Sequence, residues 1–134
     1  MAYRLDIEQL DRVQDVLAKE LVEAGAHLVI LLDLAGNVIT TLDDGECDYD
    51  VYSLAALAAG NFGAVNQMAA LLREDGFSVL FHKGDKEHMH FSKVKDDFLL
   101  VNVFGNQTSL GYLRLKVAEV TAKLENILGR DEKS

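Results

Sequence analysis

The segment from Leu54 to Leu72 reads LAALAAGNFGAVNQMAALL and contains no charged residue. Ser53 is the predicted N-cap of this helix, which is expected to end near Arg73 or Glu74. Large apolar residues at helical spacing predict the side that packs on a sheet: Leu54, Leu57, Phe62, Val65, Met68 and Leu72. The other side carries small, uncharged side chains at steps of three and four: Ala56, Ala59, Gly60, Gly63, Gln67 and Ala70. A helix face in water normally carries Lys, Glu or Arg, so this second side predicts a covered surface.

Two glycines in the middle of this predicted helix, Gly60 and Gly63, lower its intrinsic stability. Each costs about 1 kcal/mol relative to alanine, and close approach of another backbone is the usual compensation. The small-residue side is therefore either buried inside the monomer or covered by a second subunit or another partner. The rest of the chain offers little to cover it, and uncharged exposed patches usually mark binding surfaces, so we favour an interface.

The residues before this helix predict another helix and a β-hairpin. Ile7 to Glu23 is expected to be helical and Gly25 to end the helix. The apolar stripe of this first helix contains Ile7, Leu10, Val13, Leu17 and Leu21. The continuous apolar run from Leu28 to Leu32 predicts a strand buried on both faces. The β-branched segment from Val38 to Thr41 predicts the returning strand of the hairpin.

The residues after the central helix predict three strands and a last helix. The strands are expected over Phe77 to Phe81, Glu87 to Val94 and Phe98 to Phe104. Thr108 or Ser109 is the predicted cap of the last helix. Its apolar stripe contains Leu110, Leu113, Val117, Val120 or Thr121, Leu124 and Leu128. The order α-β-β-α-β-β-β-α predicts an α+β fold, a five-stranded antiparallel sheet with helices on both faces.

The composition predicts a single domain that binds neither nucleic acid nor membrane. The chain has 134 residues, and its 22 acidic against 13 basic residues give a net charge of −9. This length fits one domain over residues 1–134, with a core over about 7–128. The negative charge disfavours phosphate backbones and anionic membranes. A single cysteine, Cys47, forms no internal disulfide, and we find neither an apolar run of about 18 residues nor a signal-peptide pattern, so a cytoplasmic location is expected.

Three histidines near a predicted hairpin are the first candidate metal ligands. His88 and His90 lie on one face of their strand, and His82 belongs to the neighbouring strand. Three such side chains could bind zinc. However, Met89 and Phe91 occupy the opposite face of the strand, and we favour histidines that lie on its less buried side. No metal site is therefore predicted.

The acidic segment from Asp43 to Asp50 is the second candidate cation site. Its carboxylates are Asp43, Asp44, Glu46, Asp48 and Asp50. The ligand order and the glycine position of an EF-hand are absent from it, so a solvated loop is favoured. The chain also lacks a G-x-S-x-G, Walker or dinucleotide-binding pattern. Arg73 and Arg114 could serve a partner's active site, although solvated or paired arginines are favoured; no catalytic residue and no cofactor is predicted.

Several short motifs, in their order and spacing, resemble the roadblock family, which is named after a dynein light chain. These motifs are Ser53-Leu54-Ala55, Ala59-Gly60-Asn61, Phe81-His82 before Gly84, Asn106, Thr108-Ser109-Leu110-Gly111, and Arg114. The resemblance covers about Ile7 to Leu128 and is strongest to the bacterial MglB-type branch, whose members partner the Ras-like GTPase MglA. It implies a roadblock/profilin-like sandwich.

The resemblance also implies a homodimer that binds a small Ras-like GTPase in its GTP-bound state. In the family, the third strands of two subunits pair edge to edge and the second helices lie side by side. The homodimer contacts implied for this chain are Phe62, Phe77, Val79 and Phe81. The implied GTPase contacts fall near Ala59, Gly63 and Gln67. We therefore assign the whole small-residue side, including Ala56, Gly60 and Ala70, to partner binding.

The function implied by the resemblance is regulatory. MglB-type proteins accelerate GTP hydrolysis in cell polarity or motility by repositioning the catalytic residues of the GTPase, without an arginine finger. The alternative is a non-activating roadblock scaffold or effector that docks a GTPase or another roadblock subunit. Both hypotheses describe a regulator without an active site of its own, and the scaffold alone predicts binding that is insensitive to the nucleotide.

Overall fold

The computed structural model describes residues 5–76 and 79–129. Within these residues, three α-helices and five strands follow one another in the predicted order. The elements are α1 (Ile7–Leu17), a π-helical turn (Ala18–Val22), β1 (Ala26–Asp33), β2 (Val38–Asp43), α2 (Val51–Leu71), β3 (Val79–His82), β4 (Glu87–Val94), β5 (Phe98–Gly105) and α3 (Leu110–Leu128). The π-helical turn completes the predicted first helix, and Gly25 follows it with a φ of +117°, as its predicted role requires. Ser109 is the N-cap of α3.

The five strands form one antiparallel sheet in the order β2-β1-β5-β4-β3. The apolar strands β1 and β5 lie next to each other inside the sheet, where Ile30 pairs with Val101. Every residue of β5 is buried. Strands β2 and β3 form the two edges. The predicted α+β fold is confirmed.

Helices α1 and α3 cover one face of this sheet. Their buried apolar side chains include Val13, Leu17, Leu113, Val117, Val120 and Leu124. Glu20 in the π-helical turn accepts hydrogen bonds from Lys116, at 2.7 Å, and from Lys123, and these bonds lower the pKa of Glu20 to about 2. The predicted burial of Ile7 is wrong, since its side chain is 80% exposed. Gln9 faces α3 there instead and donates a hydrogen bond to the Ile127 carbonyl oxygen at 3.3 Å.

Helix α2 covers the opposite face of the sheet. It packs through Ala55, Ala58, Ala59 and Phe62 on apolar residues of β1, β4 and β5, and Ala69 is also buried. The predicted packing side is wrong for three of its six residues, because Leu57, Met68 and Leu72 are 72%, 52% and 68% exposed. Phe62 is buried as predicted, and Leu54 packs against the same core. The alanines allow α2 to lie close to the sheet, so that larger side chains are displaced to its flanks and outer face.

The turn between β1 and β2 packs against the first half of α2. Gly36 in this turn has a φ of +98°, which favours glycine. A Cβ atom at Gly36 would lie 3.4 Å from the Cα atom of Ala56 and 3.7 Å from the Cβ atom of Ala59. This contact is the close backbone approach that small residues of α2 permit inside the monomer, and it leaves Ala59 only 9% exposed.

A buried histidine joins the β3–β4 turn to the loop before α3. The Gly84 N–H donates to Nδ1 of His88 at 3.2 Å, so we assign the ring proton to Nε2, which lies 2.7 Å from Oδ1 of Asn106. The Asn106 amide in turn donates to the Asp85 carbonyl oxygen at 3.1 Å. Several motif residues singled out in the sequence therefore fix one end of the sheet.

Candidate interaction surface

Helix α2 begins one turn earlier than expected. Its N-cap is Asp50 and not Ser53, because the Asp50 carboxylate accepts hydrogen bonds from the Ser53 N–H at 3.1 Å and from the Ser53 hydroxyl at 2.7 Å. These bonds hold the pKa of Asp50 below its ordinary value, since they favour the charged form. A charged cap fixes the start of the helix on which the rest of the surface depends.

The outer face of α2 is exposed and carries no charged side chain. Its exposed residues include Tyr52, Ser53, Ala56, Leu57, Gly60, Gly63, Ala64, Gln67, Met68, Ala70 and Leu71. Leu71 alone is 84% exposed. By length and composition, α2 qualifies as a candidate membrane span, with a mean hydropathy of 1.2, contrary to the expectation that no segment would. In this fold its alanine side packs on the sheet, and its outer face is an apolar surface without a partner among the described residues.

The two glycines of α2 have no structural reason inside the described part of the chain. A Cβ atom at Gly60 or at Gly63 would meet nothing within 4 Å. Neither glycine has a positive φ, so alanine would fit both positions and would favour the helix by about 1 kcal/mol each. Their small size is thus unused by the monomer fold.

The outer face divides into two neighbouring stripes by helical spacing. The Asn61 side chain lies 3.1 Å from Nε2 of His82 at the end of β3, so this flank of the helix faces the β3 edge. Leu57, Ala64 and Met68 share the flank with Asn61, at steps of three and four; we call these three residues the β3-side flank. The next stripe around the helix contains Ala56, Gly60, Gly63, Gln67 and Ala70, which we call the small-residue stripe; all five are exposed.

The predicted partner-binding residues thus come together on one stripe, apart from Ala59. Ala59 lies beneath the β1–β2 turn and is 9% exposed. Of the predicted homodimer residues, Phe62 needs correction, because its side chain is 1% exposed and packs in the core under α2. It has no free surface to offer a second subunit.

Strand β3 is the other exposed feature on this side of the molecule. It pairs only with β4, so its outer backbone edge is free among the described residues. Val79 is 43% exposed on this edge. Phe81 is half-buried, with its ring centroid 6.1 Å from that of Phe104. Phe77, the remaining predicted homodimer residue, lies outside the described residues.

The three histidines of the alternative metal site do not come together. His82 lies on the α2 side of the sheet, with its ring edge-on to Phe91 at 5.3 Å. His88 and His90 point to the opposite face, which α3 covers. Within residues 5–76 and 79–129, no group of three or more His, Cys, Asp or Glu side chains is placed to hold a metal ion.

Carboxylates of the acidic segment cap turns in their own loop. The Asp43 carboxylate accepts from the Gly45 N–H at 2.7 Å, and that of Asp44 accepts from the Glu46 N–H at 3.0 Å. These hydrogen bonds give Asp43 and Asp44 a structural role in the turns of the loop.

The polar side of β4 is as buried as its apolar side, contrary to expectation. His88 and His90 are 5% and 1% exposed, and Ser92 is 4% exposed. Burial, and then the charge of Arg114, lower the pKa of His90 to about 4. The alternation of polar and apolar residues marked two faces correctly, but it gave no sign that α3 would cover the polar one.

Comparison with known proteins agrees with this architecture. The family model described as the Roadblock/LC7 domain matches residues 12–104. The gliding protein MglB from Thermus thermophilus is similar at 28% identity and a TM-score of 0.86, covering 93% of this chain and 94% of that chain. Myxococcus xanthus MglB is similar at 33% identity and a TM-score of 0.82, covering 95% and 92%. An MglB structure with a tetrameric arrangement is similar at 28% identity and a TM-score of 0.87, covering 93% of both chains.

Proposed function

Because the chain belongs to the Roadblock/LC7 domain family, we propose that it is a homodimeric regulator of a small Ras-like GTPase of the MglA type, and that it accelerates GTP hydrolysis. Its similarity to MglB over nearly the whole chain supports this branch of the family. The process it serves is then cell polarity or motility, and the protein acts in the cytoplasm, where nucleotide-bound GTPases of this class are found.

One observation carries the proposal: the outer face of α2 is exposed, uncharged and lined with glycines that the monomer does not need. A Cβ atom at either Gly60 or Gly63 would enter open space. Keeping glycine there sacrifices about 1 kcal/mol of helix stability at each position. A partner whose backbone lies close to the small-residue stripe would compensate for this lost helix stability, because glycine permits the close approach of another backbone.

The second subunit is proposed to cover the β3-side flank. The free edge of β3 would pair with the β3 edge of the other copy and extend the sheet. Asn61 contacts His82 at the end of β3, so the flank that contains Leu57 and Met68 would then face the other α2 helix. This arrangement replaces Phe62 by exposed apolar residues as the helix contribution to the homodimer. A similar MglB has a tetrameric arrangement, which supports self-association in this branch of the family.

The GTPase is proposed to bind the small-residue stripe, which remains accessible on top of the paired helices. Ala56, Gly60, Gly63, Gln67 and Ala70 form this surface, and Ala59 supports it from beneath the β1–β2 turn. Gln67 is the stripe residue with hydrogen-bonding groups on its side chain. The other four allow close contact of backbones, which suits a partner with a defined conformation of its switch segments.

The proposed mechanism is conformational. Helix α2 contains no arginine, so this surface offers no cation to the developing charge on the transferred phosphoryl group. The dimer instead binds best to the GTPase conformation in which the catalytic residues of the GTPase already face the nucleotide. Preorganised donors of this kind lower the barrier because they need no rearrangement during the reaction.

A binding experiment with a matched pair of variants tests the surface. We expect the purified protein to bind the cognate GTPase in its GTP-bound form and Gly63→Arg to abolish this binding, since a large charged side chain would separate the backbones. Ala122→Arg makes a similar change at an exposed position of α3 on the other layer and should bind normally. Normal binding by Gly63→Arg would contradict the proposed surface, and binding that is equal with GDP and GTP would favour the scaffold alternative.

A further inference from the structure

A second concave site lies on the opposite layer, between α3 and the β3–β4 edge of the sheet. It is a groove of about 560 Å³, lined by Val79, His90, Ser92, Lys93, Arg114, Val117, Ala118 and Thr121. This volume falls within the range of small-molecule sites, roughly 300–1,000 Å³. The groove is separated from the α2 surface by the whole thickness of the sheet, so the proposed GTPase surface does not include it. Val79 also lies on the β3 edge of the proposed homodimer, so a second copy would border the groove at this end.

Buried polar groups without a protein partner lie along the floor of the groove. Both ring nitrogens of His90 and the hydroxyl of Ser92 have no hydrogen-bond partner within the described residues. Asn102 pairs with His90 across β4 and β5, is fully buried, and has an amide in the same condition. Buried polar atoms almost always have partners, and burying one without a partner is unfavourable. Three neighbours of this kind on one side of the sheet indicate a site that is completed by a ligand.

The charged residues of the groove indicate whether its ligand is an anion or a cation. Arg114 from α3 lines it and is positive in a chain whose net charge is −9. Lys93 follows Ser92 on β4 and pairs with Leu99, so its side chain points to the α2 face of the sheet. The Arg114 guanidinium acts directly on His90, because its charge adds to burial in lowering the pKa of that imidazole. Among the described residues no carboxylate lines the groove, so the local field favours an anion.

The apolar part of the lining gives the shape of the ligand. Val79, Val117 and Ala118 offer aliphatic surface beside the polar floor. We propose that the groove binds a small monocarboxylate with a short aliphatic body, whose carboxylate is held by Arg114 and receives a hydrogen bond from Ser92. A neutral imidazole offers one donor and one acceptor, so His90 contributes its N–H to the same carboxylate. The aliphatic body packs against the valines, where its removal from water adds to affinity.

The test uses hexanoate as the probe and NMR as the readout. We expect hexanoate to shift the imidazole nitrogen signals of His90 and the amide signals of Ser92 and Val117 saturably, at constant pH and ionic strength. A ligand of about eight non-hydrogen atoms should bind with a Kd on the order of 1 mM. Replacing Arg114 with Gln should weaken binding by about tenfold or more, because a charge-assisted hydrogen bond is lost. Arg12→Gln, at an exposed arginine of α1, is the matched control and should bind like the unchanged protein.

Three further results would overturn the inference. The first is the absence of a saturable shift at His90, and the second is an equal affinity for 1-hexanol, which has the aliphatic body without the charge. The third is an affinity for inorganic phosphate equal to that for hexanoate, which would leave the aliphatic lining without a role. Because Arg114 is exposed, the Gln variant is expected to fold, and an unchanged thermal unfolding temperature checks this. The GTPase experiments do not depend on the outcome, since they probe the other layer.

Discussion

The imidazole of His90 is neutral at pH 7, because burial and the nearby Arg114 guanidinium lower its pKa from 6.5 to about 4. In the unfolded chain the same group has its ordinary pKa of about 6.5. Between these two pH values the unfolded state binds a proton that the folded state does not bind. The free energy of unfolding contributed by His90 therefore falls as the pH drops from about 6.5 to about 4. Among the described residues no carboxylate lines the groove beside His90, so no charge there favours the imidazolium.

Replacing His90 with Leu should remove this pH dependence. We expect the fall in the free energy of unfolding between pH 6.5 and pH 4 to shrink by up to about 3 kcal/mol in the variant, since one pKa unit corresponds to about 1.4 kcal/mol. Urea denaturation at a series of pH values measures it. An identical pH dependence in the two proteins would mean that His90 becomes protonated in the folded state near its ordinary pKa.

Helix α2 has a lower intrinsic stability than the monomer fold requires. Its outer face keeps Gly60 and Gly63, although a Cβ atom at either position would meet nothing within 4 Å. We therefore expect Gly60→Ala to raise the free energy of unfolding of the isolated protein by about 0.5–1 kcal/mol. Chemical denaturation measures this gain, and a loss of stability would show that the glycine is needed inside the fold.

The same variant should bind the GTPase more weakly if α2 is the contact surface, because the added methyl group separates two backbones in close contact. Ala122→Gly on α3, at an exposed position, is the opposite change away from the surface and should weaken the fold without affecting binding. A stabilised Gly60→Ala protein that binds as tightly as the unchanged protein would remove the proposed reason for the glycine.

The sequence is sufficient to predict the elements and their order, because α1, β1 and α3 have clear apolar patterns and their turns carry the expected glycines. Helix α2 is different, since it is uncharged on all sides and its pattern does not identify the side that packs on the sheet. The sheet selects Ala55, Ala58 and Phe62, whereas residue size favours Leu57 and Met68. An alanine in a sequence is a weak predictor of burial. The distance between the helix and the sheet decides which apolar side chains are exposed to solvent.

Part of the candidate interaction surface could also be predicted from the sequence of α2. The small-residue stripe follows from spacing alone, so its members are brought together as expected except for Ala59, which the β1–β2 turn covers. The exposure of the β3-side flank was not predicted, because residue size placed Leu57 and Met68 on the side that packs on the sheet. Their exposure depends on the distance between α2 and the sheet, which no local pattern encodes. The burial of His90 under α3 likewise depends on tertiary packing and not on the alternation of β4.

The β3-side flank of α2 and the free backbone edge of β3 meet at one edge of the sheet, and together they predict a homodimer. A variant with Leu57→Glu and Met68→Glu should be a folded monomer, because four like charges would face one another between the two α2 helices. Size-exclusion chromatography with light scattering measures the mass of the particle, and circular dichroism checks the fold. Leu115→Glu changes a residue of α3 that is 58% exposed and should leave the dimer intact. A dimeric double variant would place the subunit interface elsewhere.

The proposed dimer activates a GTPase through α2. Single-turnover GTP hydrolysis by an MglA-type GTPase of the same genome, with and without this protein, measures this activation. We expect a rate increase of about tenfold or more, which is on the order of 1.4 kcal/mol off the barrier, with no increase for Gly63→Arg and a full increase for Ala122→Arg. An unchanged rate despite GTP-dependent binding would contradict activation, and an equal increase with Gly63→Arg would contradict the role of α2.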